Sequence, residues 1–138
     1  MQAIVLLLLR FSTGSYLTIW GLLKLMSPET ALKVSDKYYS GMLNADIINY
    51  GLGAVQVALG VLVILGLFRK LVYPAQALVY FAGLVAIAPY ILDPFGLYLV
   101  ESAKVTFYPS TTLFFAALVM IVFKSHDSLS MDTKRRKR

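Results

Sequence analysis

Residues 46–68, DIINYGLGAVQVALGVLVILGLF, decide the fold because they form one apolar stretch with a charge only at its first residue. About 20 residues in an α-helix are enough to cross the roughly 30 Å hydrocarbon core of a bilayer. Arg69 and Lys70 follow directly, and a second apolar stretch begins at Leu71. A link this short joins neighbouring antiparallel helices. The stretch and its surroundings therefore predict a transmembrane helical hairpin.

The composition of the whole chain favours a membrane protein. Of the 138 residues, 59% are hydrophobic and 14% are charged, whereas a soluble domain is about a quarter charged. We therefore predict the fold class as all-α, an integral membrane four-helix bundle formed by residues 1–124, with a basic cytoplasmic tail at 125–138. The four predicted spans are about 3–26, 46–68, 71–92 and 104–123.

A polar segment separates the first two predicted spans. Ser27, Pro28 and Glu29 are typical of a helix start, with a cap, a proline in the first turn and an acidic residue beside it. Apolar and charged residues then alternate as far as Tyr39, and Gly41 is a suitable helix end. This pattern predicts a short amphipathic helix in the membrane interface between spans 1 and 2.

Basic residues predict the orientation of the bundle. They are more numerous at one set of helix ends (Arg69, Lys70, Lys124 and residues 134–138) than at the other (Lys24, Lys33, Lys37 and Lys104). The richer side faces the cytoplasm by the positive-inside rule. We therefore expect a multi-pass protein of the cell (inner) membrane with both termini cytoplasmic, whose basic tail contacts anionic lipid rather than nucleic acid.

The residues that the chain lacks exclude disulfide and thiol chemistry, and haem or copper sites bound by histidine within the predicted spans. It has no cysteine, and its one histidine, His126, lies in the tail. No acidic residue lies at the middle of a predicted span, as the carboxylate relay of a proton pump requires. We therefore predict no metal site, no catalytic residue and no cofactor bound by this chain alone.

Arg10 is the one charged residue well inside the first predicted span. It either faces the bundle interior or extends to the nearby headgroups, and we favour the interior because of the residues that share its face. Small residues recur on that face and on the matching faces of the next two spans, where they allow close helix packing. This predicted packing seam contains Gly14, Gly21, Gly53, Gly60 and Gly83.

Polar residues on the same faces suggest a candidate ligand site. Gln56 and Tyr80 are expected near the middle of the membrane, and Gln76 about level with Arg10. Together they would satisfy the guanidinium group of Arg10 without a carboxylate. Such a cluster is either a ligand pocket or a network that only fixes helix packing. At the outer face, Lys24, Asp46 and Tyr90 are expected where the helices emerge, and Lys24 and Asp46 are either an ion pair or separately solvated.

The first two spans resemble the DoxX-like family, which includes DoxX, DoxD and MauE-type membrane proteins. The resemblance lies in LLR at residues 8–10 with Gly14, in WGLLK at residues 20–24, and in QVALG at 56–60 with LGLFR at 65–69. It implies a four-helix inner-membrane protein of bacteria or archaea. Named members are subunits of quinone-linked oxidoreductases, thiosulfate:quinone oxidoreductase among them, or assist redox and maturation complexes. The residues that match the family pattern are Arg10, Gly14, Gly21, Lys24, Gln56 and Gly60.

Two functions are therefore expected. The first is an accessory subunit of a quinone-linked membrane oxidoreductase, with a quinone or lipid pocket around the Arg10 cluster, whose apolar and aromatic walls suit such a ligand. The alternative is a non-catalytic assembly or chaperone-type protein whose polar stripes only pack helices. The expected partners are the lipid bilayer and either another membrane protein or further copies of this chain.

Overall fold

The structure is a computed structural model that describes residues 1–30, 33, 46–103 and 105–137. These residues are largely helical and contain no β-strand, which confirms the predicted fold class. Short 3-10 turns lie at Val105–Phe107 and Lys124–His126. The α-helices with described bounds are α1 (Gln2–Met26), α2 (Asp46–Leu65), α3 (Arg69–Ala86), α4 (Ala88–Leu92), α5 (Pro109–Val122) and α6 (Met131–Arg136).

Four of these helices, α1, α2, α3 and α5, form the bundle. The most extensive interface joins α1 to α2, and α3 packs mainly on α5. The core is formed by side chains with almost no exposed surface, including Leu17, Val63, Tyr73, Ala117 and Met120. Among the described residues, Gln2–Met26 and Ile47–Leu65 are long and apolar enough to cross a membrane, and Pro109–Val122 is a shorter apolar helix.

The helix ends differ from the predicted spans where backbone chemistry forces a break. α2 ends at Leu65 because Gly66 and Phe68 both have positive φ, at 69° and 51°, and turn the chain into α3. The third predicted span, 71–92, is divided between α3 and α4, with Pro89 in the first turn of α4. In the fourth predicted span, the helix α5 begins at Pro109 rather than at 104, because proline has no N–H to donate and suits the first turn of a helix.

The predicted interfacial helix falls mostly outside the described part of the chain. Residues 28–30 and 33 are helical, as expected for its beginning. The rest of 31–45, where Gly41 was predicted to end it, is not described. The side chain of Asp46 is also outside the described set, so its predicted pairing with Lys24 stays a prediction.

Glycines form the closest contact between α1 and α2. A Cβ atom added to Gly14 would lie 2.7 Å from the carbonyl oxygen of Gly60, and one added to Gly21 would lie 2.7 Å from that of Gly53. Both pairs are seven residues apart, so the same faces of the two antiparallel helices meet twice. Gly83 differs from the other four glycines of the predicted seam, because a Cβ there would have no described neighbour within 4 Å. The structure gives no packing contact for the role predicted at Gly83.

The C-terminal segment, residues 124–136, folds back onto the bundle. Asp127 is 2% exposed and Ser130 is 0% exposed. Ser130 caps α6 by accepting a hydrogen bond from the N–H of Thr133, and the N–H of Asp132 donates to the carbonyl of Gly66. This segment brings the carboxylates of Asp127 and Asp132 to the arginines of the bundle. The cytoplasmic location of residues 125–138 stays a prediction.

Candidate functional site

The side chain of Arg10 lies inside the bundle and binds a carboxylate. It is 1% exposed, and its Nη1 donates to both oxygens of Asp127 at 3.2 Å. Its Nη2 donates to the carbonyl of Leu129 at 3.5 Å. The interior placement agrees with the interpretation favoured above, whereas the prediction that Arg10 would be satisfied without a carboxylate is wrong. The partner lies 117 residues further along the chain.

Asp127 is shared by three side chains from α1 and α3. The hydroxyl of Tyr73 donates to its Oδ2 at 2.6 Å, and Nη1 of Arg69 lies 3.6 Å from the same oxygen. Arg69 also donates to the carbonyls of Lys124 and Asp127, at 2.8 and 3.1 Å. One carboxylate thus contacts two guanidinium groups and holds α1, α3 and the C-terminal segment together. We call Arg10, Arg69, Tyr73 and Asp127 the arginine–aspartate cluster.

Asp132 makes a second attachment of the C-terminal segment, at the start of α3. Its carboxylate accepts hydrogen bonds from the N–H groups of Phe68 and Arg69, at 3.1 and 2.9 Å, as a helix N-cap does. Nε of Arg69 lies 3.5 Å from the same carboxylate. Burial raises the pKa of Asp132, but the two backbone donors and the charge of Arg69 outweigh burial, so that the pKa is below its ordinary value.

Gln76 and Tyr80 form a separate polar group with α1. The hydroxyl of Tyr80 donates to the carbonyl of Thr13 at 2.6 Å and accepts from Nε2 of Gln76 at 3.4 Å. Because Tyr80 has one proton and uses it on Thr13, the atom of Gln76 that faces it must be the amide nitrogen. Oε1 of Gln76 is then buried with no hydrogen-bond partner among the described residues.

Gln56 lies far from the arginine–aspartate cluster. Its Oε1 accepts a hydrogen bond from Nζ of Lys24 at 2.5 Å, and Nδ2 of Asn49 is 3.5 Å from the carbonyl of Lys24. Lys24 is fourteen residues beyond Arg10 in α1, about 21 Å of helix. The predicted cluster of Arg10, Gln56, Gln76 and Tyr80 is therefore divided among three levels, because Lys24 is the partner that Gln56 reaches.

The opposite end of the bundle contains a loop organised by Asp93. Its carboxylate is 1% exposed and accepts hydrogen bonds from the N–H groups of Leu97, Tyr98, Leu99 and Val100 at 2.8 to 3.3 Å. Burial raises the pKa of Asp93, but the four donors outweigh it and set the pKa at about 2. The ring of Tyr90, predicted at this face, packs edge-on against Phe107 with centroids 5.6 Å apart.

Sequence reasoning missed Asp127, Arg69 and Asp132 as parts of the site. A signal was present, because Arg10 needs a carboxylate and no predicted span has one near its middle. The acids closest in the chain to the basic end of the bundle are Asp127 and Asp132. The described residues contain no group of three His, Cys, Asp or Glu side chains able to hold a metal ion.

Comparison with known proteins identifies the family. The sequence model of the DoxX family matches residues 5–91, more than half of the chain. The match includes α1, α2 and α3, and therefore Arg10, Lys24, Gln56 and Gln76, but ends before α5 and Asp127. Comparisons with curated proteins and with solved structures gave no match. This chain belongs to the DoxX family and is a helical membrane protein.

Proposed function

We propose that this chain is a non-catalytic subunit of a membrane protein complex, with an assembly or accessory role. The observation that carries the proposal is the pairing of Arg10 with Asp127. A quinone carbonyl needs a hydrogen-bond donor, and both Nη groups of Arg10 already donate to protein acceptors. The hydroxyl protons of Tyr73 and Tyr80 are used in the same way.

The energetic cost of exposing these donors supports the same function. Removing one partner of a buried ion pair costs about 3–5 kcal/mol, because the other charge stays buried and uncompensated. A ligand that displaced Asp127 from Arg10 would bear a cost of that order, and would also break the contacts to Tyr73 and Arg69. These contacts therefore favour a structural role for the polar interior, which holds the helices together, rather than a role in binding a substrate.

The exposed sides of the bundle helices offer room for a partner helix. Phe11 and Ile19 on α1 are 60% and 64% exposed, as expected for side chains that contact lipid or another protein. At Gly51 and Gly83, an added side chain would meet no atom of the described residues within 4 Å. Small residues let helix backbones approach closely in lipid, so these faces suit a neighbouring membrane helix.

A quinone-contacting subunit of an oxidoreductase is the second candidate, and one observation favours it. Nε of Arg10 and Oε1 of Gln76 are both buried without a hydrogen-bond partner among the described residues. The first is a donor that a quinone carbonyl would accept from, and the second is an acceptor for a quinol hydroxyl. In this role quinone would be the cofactor of the complex rather than of this chain alone.

A double substitution separates the two functions. Arg10→Leu/Asp127→Leu replaces the ion pair by apolar side chains, a change that proteins often tolerate. We expect the variant to purify with the same stoichiometric membrane protein partner as the wild type, and neither protein to be stabilised by a quinone analogue. The control is Lys24→Leu/Gln56→Leu, which replaces a polar pair by apolar side chains at the other end of α1. It shows the effect of losing a polar contact away from the arginine–aspartate cluster.

Two results would contradict the assembly role. The first is a wild-type protein whose melting temperature rises with a quinone analogue, combined with a folded double variant that has lost this rise. The second is a wild-type protein that purifies from mild detergent without any stoichiometric partner. Circular dichroism of both variants shows whether helix content is retained.

A further inference from the structure

The start of α3 and the C-terminal segment line an open pocket of about 490 Å³ at the basic end of the bundle. Residues 68–71 line one side, and Lys124 and α6 line the other. This headgroup pocket, as we call it, exists because the C-terminal segment folds back. The hydrogen bonds from the N–H groups of Phe68 and Arg69 to Asp132 hold the C-terminal segment in this position.

The charges that line the headgroup pocket fit an anion. Arg69 and Asp132 are paired with each other, with Nε and Oδ2 3.5 Å apart. The other basic residues of the lining have no ion-pair partner in the described part of the chain, and they are Lys70, Lys124, Arg135 and Arg136. Four cations around one cavity attract phosphate, which arginine and lysine bind through charge-assisted hydrogen bonds.

Apolar side chains on the same rim distinguish a lipid from a soluble phosphate. Phe68 and Leu71 line the pocket and are 59% and 74% exposed. They lie where α2 ends and α3 begins, so that they border the membrane-crossing part of the bundle. A ligand that contacts both groups must carry a negative head and an apolar tail.

We propose that the headgroup pocket binds the phosphate of an anionic phospholipid. The phosphate lies among Lys70, Lys124 and α6, and the acyl chains lie along Phe68 and Leu71. Basic residues beside a membrane attract anionic lipid by roughly fivefold in affinity per residue. The site is independent of the proposed assembly role, since it uses none of the residues that would contact a partner helix.

The experiment compares two variants that lose the same charge. Lys70→Gln/Lys124→Gln removes two cations that line the pocket, and Lys134→Gln/Lys137→Gln removes two from the same basic end that do not line it. Each protein is purified in neutral detergent, and binding of phosphatidylglycerol is measured by native mass spectrometry. Phosphatidylcholine and inorganic phosphate serve as comparison ligands.

We expect the pocket variant to bind phosphatidylglycerol on the order of 30-fold more weakly than the wild type, and the control variant to bind within about threefold of it. Arg135→Gln/Arg136→Gln, on the exposed side of α6, should behave as the first variant does and tests the site if that variant fails to fold. An equal loss in pocket and control variants overturns the proposal in favour of diffuse attraction by the tail. Binding of phosphatidylcholine as tight as that of phosphatidylglycerol also overturns it, and so does displacement of the lipid by inorganic phosphate.

Discussion

At the scale of single residues, the contact between Arg10 and Asp127 combines two requirements. A guanidinium group within an apolar helix needs acceptors, and a carboxylate without a nearby cation would be equally costly to bury. Both Asp127 oxygens face Nη1 of Arg10, and Tyr73 adds a hydrogen bond at 2.6 Å. Each charged group therefore makes the burial of the other tolerable, which gives a sharp expectation for single and double substitutions.

Asp127→Ala should lower the free energy of unfolding by about 3 kcal/mol, because it leaves Arg10 buried without a counter-charge and leaves Arg69 with Asp132 as its one carboxylate partner among the described residues. Arg10→Leu/Asp127→Leu should recover most of that loss, since neither charge of the pair is then buried. Denaturant unfolding in detergent, followed by circular dichroism, measures both values. Equal destabilisation by the single and double variants would contradict a coupled pair. Tyr73→Phe removes one hydrogen bond to Asp127 and should lower the free energy of unfolding by about 1 kcal/mol.

Asp93 predicts a pH dependence at the other end of the bundle. Its pKa in the folded protein is about 2, below the ordinary value of 3.8, so that the unfolded chain binds more protons between these values. The stability that Asp93 contributes is therefore complete above about pH 4 and is lost as the pH falls through about 2.

The comparison protein for this prediction is Asp93→Asn. At pH 5 the wild type should melt at a higher temperature than the variant, and the difference should shrink as the pH approaches 2. Other carboxylates, including Asp127 and Asp132, are common to both proteins and cancel in the difference. A melting difference that stays constant from pH 5 to pH 2 would show that the ionised carboxylate is not what organises residues 97–100.

At the scale of helices, the α1–α2 interface depends on the absence of side chains. A Cβ at Gly60 would lie 2.3 Å from Oγ1 of Thr18 and 2.6 Å from the carbonyl oxygen of Gly14. Gly60→Ala should therefore force the two backbones apart and lower the free energy of unfolding by about 1–3 kcal/mol. The measurement is again denaturant unfolding in detergent.

Gly51→Ala is the matched control for Gly60→Ala in the same helix. A Cβ at Gly51 meets no described residue within 4 Å, so this substitution should be neutral or stabilise the protein by up to about 1 kcal/mol through helix propensity. If both substitutions changed stability by the same amount, propensity rather than packing would explain the effect at Gly60.

Helix positions were predictable from the sequence, whereas the attachment of the C-terminal segment was not. Long apolar runs revealed the helices, because burial in lipid imposes a composition that needs no knowledge of contacts. The spacing of Gly14 and Gly21 likewise follows from helical periodicity. Asp127 lies beyond a turn that no periodicity governs, so its distance from Arg10 depends on how α5 ends. The left-handed conformation of Phe68 has no sequence signal, since this residue type rarely adopts it.

At the scale of the whole molecule, the two ends of the bundle are chemically different. One end contains the arginine–aspartate cluster and the hairpin turn at Gly66. The C-terminal segment, which includes the basic helix α6, contacts both of them. The other end contains the loop organised by Asp93. Because Arg10 and Asp127 are in contact, the beginning of α1 and the C-terminal segment lie at the same end of the bundle.

The membrane orientation is therefore decided by which end of the bundle faces the cytoplasm. Single introduced cysteines can report this, because the chain has no cysteine of its own. Ser128→Cys places a thiol at the basic end, and Ser102→Cys places one at the opposite end; both serines are exposed. The excess of lysine and arginine predicts that the basic end is cytoplasmic. In intact cells a membrane-impermeant maleimide should then label the Ser102→Cys variant and leave the Ser128→Cys variant unlabelled until the cells are permeabilised. The reverse pattern would contradict the orientation that the excess of lysine and arginine predicts. Labelling of both variants in intact cells would rule out one fixed orientation.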